Sequence, residues 1–553
     1  MTDDQVTIQP VFAAATIAHS ADAAKLFAWV GGTKSTDTVL LESADIASKN
    51  SLQSLLVVKS SLRITCRGQQ VTVTPLTRSG EHIAAYLDGK LIAAGISRST
   101  TATDLAGGTA PFGQVYCYDF PAVEEVDERK RLTATSTLLP LKLLQHDEAL
   151  RDEQQQWPLI AGGFAFDYLE TFETLHEVPQ QANTFPDYQF MLAEIVIGIN
   201  YETQQAVIRA TGVDAYADEL TDSVTTLAAK CAEFAAQQPA TETAPDASSS
   251  AAQSADDASI LEVSATMSDA TFCDHVRRLK GHIDAGDVYQ AMPSRGFVTT
   301  CPDAFAAYGQ LKLSNPSPYM FYVRGIAEGE VYELFGASPE SSLKYSADTN
   351  QVELYPIAGT MPRGLDASGQ INHELDIRAE LALRTDAKEL AEHTMLVDLA
   401  RNDLARVARP RTRQVAELLK VDRYSRVIHL VSRVTAQLSD DLDALDAYRA
   451  CMNMGTLTGA PKIMATNLLR DTEQQRRGTY GGAVGYLKGN GDMDTCIVIR
   501  SAFVTGGQAL VQAGAGVVRD SIPQREADES LHKAWAVLAA LAAAQGKTLH
   551  VTR

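Results

Sequence analysis

Groups of short strand-like runs alternate along the chain with helix-like stretches, and this pattern predicts a large mixed α+β fold. Three observations carry the prediction. Runs rich in Val, Ile, Leu and Thr recur on both sides of residue 250, long helical-period stretches lie between them, and no internal repeat appears. Early in the chain, TDTVLLES, LQSLLVVKSSLRITCRG and QQVTVTPLT read as strands, with Arg67-Gly68 as a turn, and a helix is expected from Ala21 to Val30. A second helix should start near Ser268 or Asp269, followed by the strands YMFYVRG, VYELFGAS and NQVELYPIAG. GGAVGYL, TCIVIRSAFV and QALVQAGAG come later. The final helix, Pro523 to Gln545, spaces Leu531, Ala534, Val537, Leu538 and Leu541 along one face, with Gly546 as its stop.

Between residues 237 and 259 every large apolar side chain disappears in favour of Ala, Ser, Asp, Thr and Pro. Such a segment cannot bury enough surface to order itself, so it is expected to be a flexible insertion that links two domains or loops out of one. The 553 residues suffice for two or more ordinary domains or one large one.

Acidic residues outnumber basic ones 69 to 48, a net charge of −21, which argues against nucleic acid or an anionic membrane as a partner. An anionic substrate would need local cations. No apolar run is long enough to span a bilayer and MTDDQVTIQP has no export signal, so a cytoplasmic protein is expected. The seven cysteines form neither a CxxC pair nor a zinc-spaced cluster and read as reduced, structural thiols.

Several constellations could carry chemistry. Glu389 and Glu392 in KELAEHTMLVDLARNDL, and Glu526 and Glu529 in PQREADESLHKAW, are three apart and share a helix face. Four carboxylates brought together would demand a hard cation such as magnesium, although spacing alone favours solvated faces. In GTLTGAPKIMATNLL, Thr458 is a candidate helix cap, Pro461 suits the first turn, and Lys462 stands close to amides that could receive an anion. The loop AGAG (513–516) could let backbone amides approach a ligand, but Arg519 stands where a dinucleotide loop needs glycine. Arg500 ends the run TCIVIR, where an arginine can clamp a carboxylate or pair with a local acid, and Tyr480 has glycine neighbours that would leave it accessible. His429 lies among apolar residues as an ordinary core histidine would. Glu340, by default an exposed turn residue, becomes a candidate general acid if burial raises its pKa.

In order, GDVYQAMPS, NPSPYMFY, GASPESS, PIAGTMPRG, ELAEHTMLVDLARND, VIHLVS, GTLTGAPK, RGTYGGAVGY and AGAGVVRDSIPQREADE resemble the chorismate-utilising enzymes. That family includes anthranilate synthase component I and the aminodeoxychorismate, isochorismate and salicylate synthases. The resemblance runs from Asp269 to Ala540, while LLES (40–43) and GGFAFDYLE from Gly162 resemble the N-terminal region of component I. It implies a large two-sheet, sandwich-like fold with helices outside. It also implies a component I region over 1–236 with tryptophan-binding elements, an insertion at 237–259 and a chorismate-binding catalytic region over 260–553.

Three positions distinguish members of the family. Water-using members carry a lysine base where this chain has Gln290, and aminodeoxychorismate synthases carry a lysine nucleophile where it has Ala358. His429 matches the histidine associated with the aromatising elimination. Ammonia needs no activating base, so amination at C2 followed by pyruvate loss is the expected chemistry. The resemblance implies magnesium held chiefly by Glu392 and Glu529, with Glu389 and Glu526 in support. It makes Glu340 the proton donor to the C4 hydroxyl. Arg500, Tyr480, Gly514, Ala515 and Gly516 would hold the enolpyruvyl carboxylate, and Gly359, Thr360 and Thr456 would line the ring. With no glutaminase signature in sight, a glutamine amidotransferase subunit in a heterotetramer is expected. Tryptophan is the expected inhibitor, at Glu42, Ser43, Pro318, Tyr319 and Met320, with Gln53 where enteric relatives tend to carry lysine. The rival expectations are an aminodeoxychorismate synthase working without its lysine, and a non-catalytic tryptophan-sensing scaffold.

Overall fold

The computed structural model describes residues 8–44, 51–99, 112–122, 127–152, 157–237, 259–366, 370–423 and 427–553. The segment expected to be flexible lies almost wholly outside them. One run of paired strands begins with Pro10–Ile17 and passes through Gln205–Val213, Tyr188–Asn200, Ser51–Arg67, Thr38–Ala44, Tyr319–Ala327 and Glu330–Ser338. It continues through Ser501–Thr505, Gln508–Gly514, Ser294–Thr300 and Ile260–Ala265 to the C-terminal Thr548–Thr552. A second run leaves Tyr188–Asn200 through Leu159–Phe164, Ala483–Lys488, Met493–Ile497, Ser341–Ser346 and Gln351–Leu354 to Val427–Gln437. Ile357–Pro362 and Gln414–Arg423 complete it.

The expected two sheets are thus two layers of one hydrogen-bonded network. Two long strands, Ser51–Arg67 and Tyr188–Asn200, pass from one layer to the other, and their mutual register slips between Val57 and Leu62. Such slips bend strands and allow them to change layers. Strands from before and after the 238–258 segment pair directly, Thr38–Ala44 with Tyr319–Ala327 and Leu159–Phe164 with Ala483–Lys488.

Val39, Val57, Leu159, Phe321, Leu334, Val484 and Phe503 fill the space between the layers. Helices cover the outside. Ala23–Trp29, Ala217–Gln237, Ala304–Ser314 and Pro523–Ala544 share one outer core, and Arg78–Ala93, Ala387–Ala405 and Ala444–Cys451 share the other. Leu531, Ala534, Val537, Leu538 and Leu541 are buried as their spacing predicts, and Gly546 takes a left-handed φ of 62° beyond the helix. Each large apolar side chain so buried contributes about 1.5–3 kcal/mol relative to exposure. Asp269–Ala285 is capped by the Ser268 side chain, which accepts from the Thr271 amide, and it ends on a left-handed Gly286. The other expected cap is absent. Thr458 Oγ1 donates to Met454 O, and Lys462–Glu473 starts behind Pro461 with no side-chain cap.

Candidate active site

Two strand ends cross between the layers side by side. Glu330–Ser338 lies in the first layer and Ser341–Ser346 in the second, so Glu340 sits in the crossing. Met493–Ile497 lies in the second and Ser501–Thr505 in the first, which puts Arg500 in the opposite crossing. The crossings bond to each other: Ala337 N donates to Arg500 O (3.1 Å) and Ile497 N to Glu340 O (3.0 Å). The run TCIVIR is therefore not one strand ending in Arg500. The chain leaves the ladder at Ile497, and Arg500 adopts a φ of 51°.

Burial pushes the Glu340 carboxyl up to about 8, against opposing effects of the Thr456 hydroxyl and Arg500. Thr456 Oγ1 donates to Glu340 Oε1 at 3.1 Å. The side chain is 7% exposed, so the default exposed-turn reading fails. An acid that stays protonated near pH 7 beside a hydroxyl donor can supply a proton to a leaving oxygen.

Tyr480 is buried rather than accessible, and desolvation pushes its phenol up to about 12, opposed by Arg477, Arg500 and a backbone hydrogen bond from Gly514. Gly514 and Gly516 leave room only for backbone. A Cβ on Gly514 would stand 2.3 Å from Pro293 O, and one on Gly516 would stand 2.9 Å from the Gln290 amide nitrogen. That nitrogen donates to Glu392 Oε1 at 3.0 Å, so Gln290, Gly516 and Glu392 adjoin.

Gly359 takes a left-handed φ of 82°, which a residue with a side chain would strain to adopt, and turns its carbonyl toward His429. His429 Nδ1 lies 3.2 Å from that oxygen and 3.0 Å from Thr360 Oγ1. A carbonyl only accepts, so Nδ1 carries the proton and the lone pair falls on Nε2. Desolvation pulls the imidazole down to about 4, with Arg500 and Lys533 adding to the effect, so the ring is neutral.

The four glutamates lie in two helices, Ala387–Ala405 and Pro523–Ala544. Glu389 and Glu526 are both raised, first by desolvation; Glu392 acts further on the former and Glu529 on the latter. Glu529 pairs with Lys533 at 2.7 Å, and its charge reaches Arg500. Among the described residues no three acidic, His or Cys side chains form a ready ligand cluster. The donor set suits magnesium, which takes one or two carboxylates and completes its shell with water and substrate oxygens. Lys462 does not face this space: its ammonium is buried against Asp403 Oδ2 (2.8 Å) and Cys451 O (2.6 Å).

The profile of chorismate binding enzymes matches residues 111–539. The chain is 50% identical to anthranilate synthase component 1 of Vibrio cholerae over 93% of both chains, and 47% identical to that of Escherichia coli over 92% of both. The chain belongs to the chorismate-binding enzymes, in the anthranilate synthase component 1 family. Its fold matches the crystal structure of component I from Streptococcus pneumoniae with a TM-score of 0.63 at 26% identity, covering 90% of this chain and 94% of that one. The menaquinone-specific isochorismate synthase of Escherichia coli, 16% identical with a TM-score of 0.61, shares the fold, covering 97% of this chain and 95% of that one.

Away from these residues the chain has a cavity of about 1100 Å³, lined by Glu42, Ser43, Gln53, Pro318, Tyr319 and Met320 among others. Ser43 pairs with Tyr319 and Glu42 with Met320 across adjacent strands, which is why two distant motifs meet there. Ser43 Oγ bridges the backbone of Gln53, donating to its carbonyl (3.3 Å) and accepting from its amide (3.2 Å). Glu42 accepts from Tyr308 and from Lys312 (2.6 Å), so a cation stands beside it despite the uncharged residue at 53. Three contributors escaped the sequence reading. Lys533 follows Glu529 by one helical turn, His393 binds Ser432 Oγ (2.7 Å) and Ala358 O (3.3 Å), and Arg477 lies buried behind Tyr480.

Proposed function

We propose that this chain is the large subunit of an anthranilate synthase, converting chorismate and ammonia to anthranilate, pyruvate and water. The observation that carries the reading is the Gln290–Glu392 contact: a neutral amide fills the place where a water-activating base would stand. Ala358 likewise offers no nucleophile for amination at C4. Its backbone is simply fastened to His393.

The carboxylates Glu392 and Glu529 would hold magnesium, with Glu389 and Glu526 beside them. When bound, the ion supplies an electrophile for the ring carboxylate and stabilises charge that develops as the amine adds. Arg500, with Tyr480 and the amides of Gly514, Ala515 and Gly516, binds the enolpyruvyl carboxylate. Its guanidinium is desolvated and so attracts the anion strongly. Gly359, Thr360 and Thr456 bound the ring. Ammonia forms the C2–N bond, the ring double bonds shift, and the C4–O bond breaks as Glu340 donates its proton to give water. His429 Nε2 then accepts the C2 proton while the enol ether C–O bond breaks, releasing pyruvate after protonation and leaving the aromatic ring.

Ammonia comes from a glutamine amidotransferase partner, in a heterotetramer. All seven cysteines of this chain are buried, and burial raises every thiol, so none resembles an activated glutaminase nucleophile. A cytoplasmic location belongs to the same proposal, in which the seven buried cysteines serve as free thiols. The Ser43–Tyr319 cavity receives tryptophan as feedback inhibitor. Incubating the chain with chorismate, magnesium and ammonium tests the activity. Fluorescent anthranilate is expected, and its absence would refute the reading.

A further inference from the structure

One buried ion pair behind the site has no part in that chemistry. Arg477 is 2% exposed and spends its donors in several directions. Nε donates to Glu473 Oε2 (2.9 Å) and Nη2 to Glu473 Oε1 (2.5 Å). Nη1 donates to Leu457 O and Nη2 to Met292 O, both at 2.7 Å. The guanidinium also covers the rings of Phe166 (4.5 Å) and Tyr480 (5.7 Å). Glu473 Oε1 in turn accepts from the amide (2.8 Å) and hydroxyl (3.1 Å) of Ser294.

These contacts belong to three walls of the site. Leu457 follows Thr456, the hydroxyl bound to Glu340. Met292 and Ser294 back the carboxylate cradle: Ser294 pairs with Gly514, Pro293 O accepts the Ala515 amide, and Met292 Sδ lies 3.1 Å from where a Gly516 Cβ would be. Tyr480 forms the third. A buried pair is weak evidence for stability, because apolar residues of like volume often serve as well. A planar fork of five donors is instead suited to fixing several acceptors at set angles.

We propose that Arg477, locked by Glu473, is a positioning residue that holds the Thr456 loop in register with the Gly514–Gly516 cradle and Tyr480. Proton donor and carboxylate anchor then address the same substrate molecule. The inference rests on the reading of Glu340 as proton donor. A lysine at 477 offers one point charge and cannot span Leu457 O, Met292 O and both Glu473 oxygens.

The test is an ammonium-dependent assay of the full chain with magnesium. Free ammonia is held constant from pH 6 to 9.5, and the parent is compared with Arg477→Lys, Thr456→Val and the double variant. Arg477→Lys should lose at least about 30-fold in kcat with a smaller change in chorismate KM, on the scale of a group misplaced by a fraction of an ångström. Because the Thr456 hydrogen bond lowers the Glu340 pKa, the alkaline limb of kcat should move up in both single variants, and no further in the double. If Arg477→Lys does not fold, Glu473→Gln, which loosens the same fork, carries the comparison and should shift the limb in the same direction. A parental kcat and alkaline limb, or additive shifts in the double, would overturn the proposal. An inactive parent would overturn the activity reading instead.

Discussion

Replacing Glu340 with Gln should abolish turnover and yet raise the stability of the ligand-free protein, by an amount that depends on pH. The folded carboxyl titrates at about 8 against an ordinary 4.5, so folding favours the protonated form. Stability from such a group is fully present below the unfolded pKa and is lost as pH rises through the folded pKa. At pH 7 the unfolded chain gains ionisation over about 2.5 units that the folded chain is denied, a cost of about 3 kcal/mol. Glutamine keeps the shape and the acceptor for Thr456 and never ionises, so this cost vanishes. For 553 residues unfolding together, an entropy of about 2.1 cal/mol/K per residue converts 3 kcal/mol into a rise of about 2–3 °C in melting temperature. The difference between variant and parent should therefore be near zero at pH 4.5 and grow steadily to pH 7 and beyond. Differential scanning calorimetry across that range, with anthranilate fluorescence on the same samples, tests both halves. A melting difference that does not change with pH would show that Glu340 is already ionised in the folded protein. Retained turnover would show that some other group protonates the C4 oxygen.

Glu529→Gln should cut turnover by about 100-fold or more without altering the melting temperature by more than a degree, because it removes one of the charges proposed to hold magnesium, at a half-exposed position; turnover of the parent in excess chelator would refute the metal role as surely as an active variant. Ser43→Phe should break the bridge to Gln53 and fill part of the adjoining cavity, raising the tryptophan concentration for half inhibition about tenfold or more, equivalent to about 1.4 kcal/mol. Equal sensitivity of variant and parent would take Ser43 out of the inhibitor site. Lys462→Met should strand the buried, already desolvated Asp403 and destabilise the protein by about 3–5 kcal/mol, read by urea unfolding. A loss under 1 kcal/mol would mean that Asp403 finds another partner or a proton.

How far the sequence could be read depended on whether each feature is decided by its neighbours in the chain. Helix Asp269–Ala285 announces itself with a serine cap and a glycine stop, and the apolar stripe of Pro523–Ala544 faces its core as spaced. The glutamate pairs were legible for the same reason, since a three-residue spacing on a helix fixes a shared face. Tyr480 was misjudged because its glycines do leave space, but Arg477, three residues earlier, lies over its ring, and Leu457, Ile497 and Ile499, from elsewhere in the fold, close it. Lys462 reads locally as a cation at a helix start, and only the approach of Asp403 on another helix explains why it points inward.

Arg500 exposes the physical reason most fully. TCIVIR has the composition of one buried strand, and nothing within six residues marks the break after Ile497. The break exists because the strand must change layers beside a second strand doing the same, some 160 residues earlier in the chain. Each crossing satisfies backbone groups of the other, Ala337 N with Arg500 O and Ile497 N with Glu340 O. Buried backbone released from a ladder needs partners, and two adjacent crossings supply them mutually. The side chains at the crossings are thereby freed from the inward and outward alternation of the sheet. An acid and a guanidinium can then be aimed into one desolvated space, a placement that regular strands would not allow. In a chain of net charge −21, such a space brings Arg500 and Lys533 close to Glu340 and His429, where the proposed anionic substrate would need them.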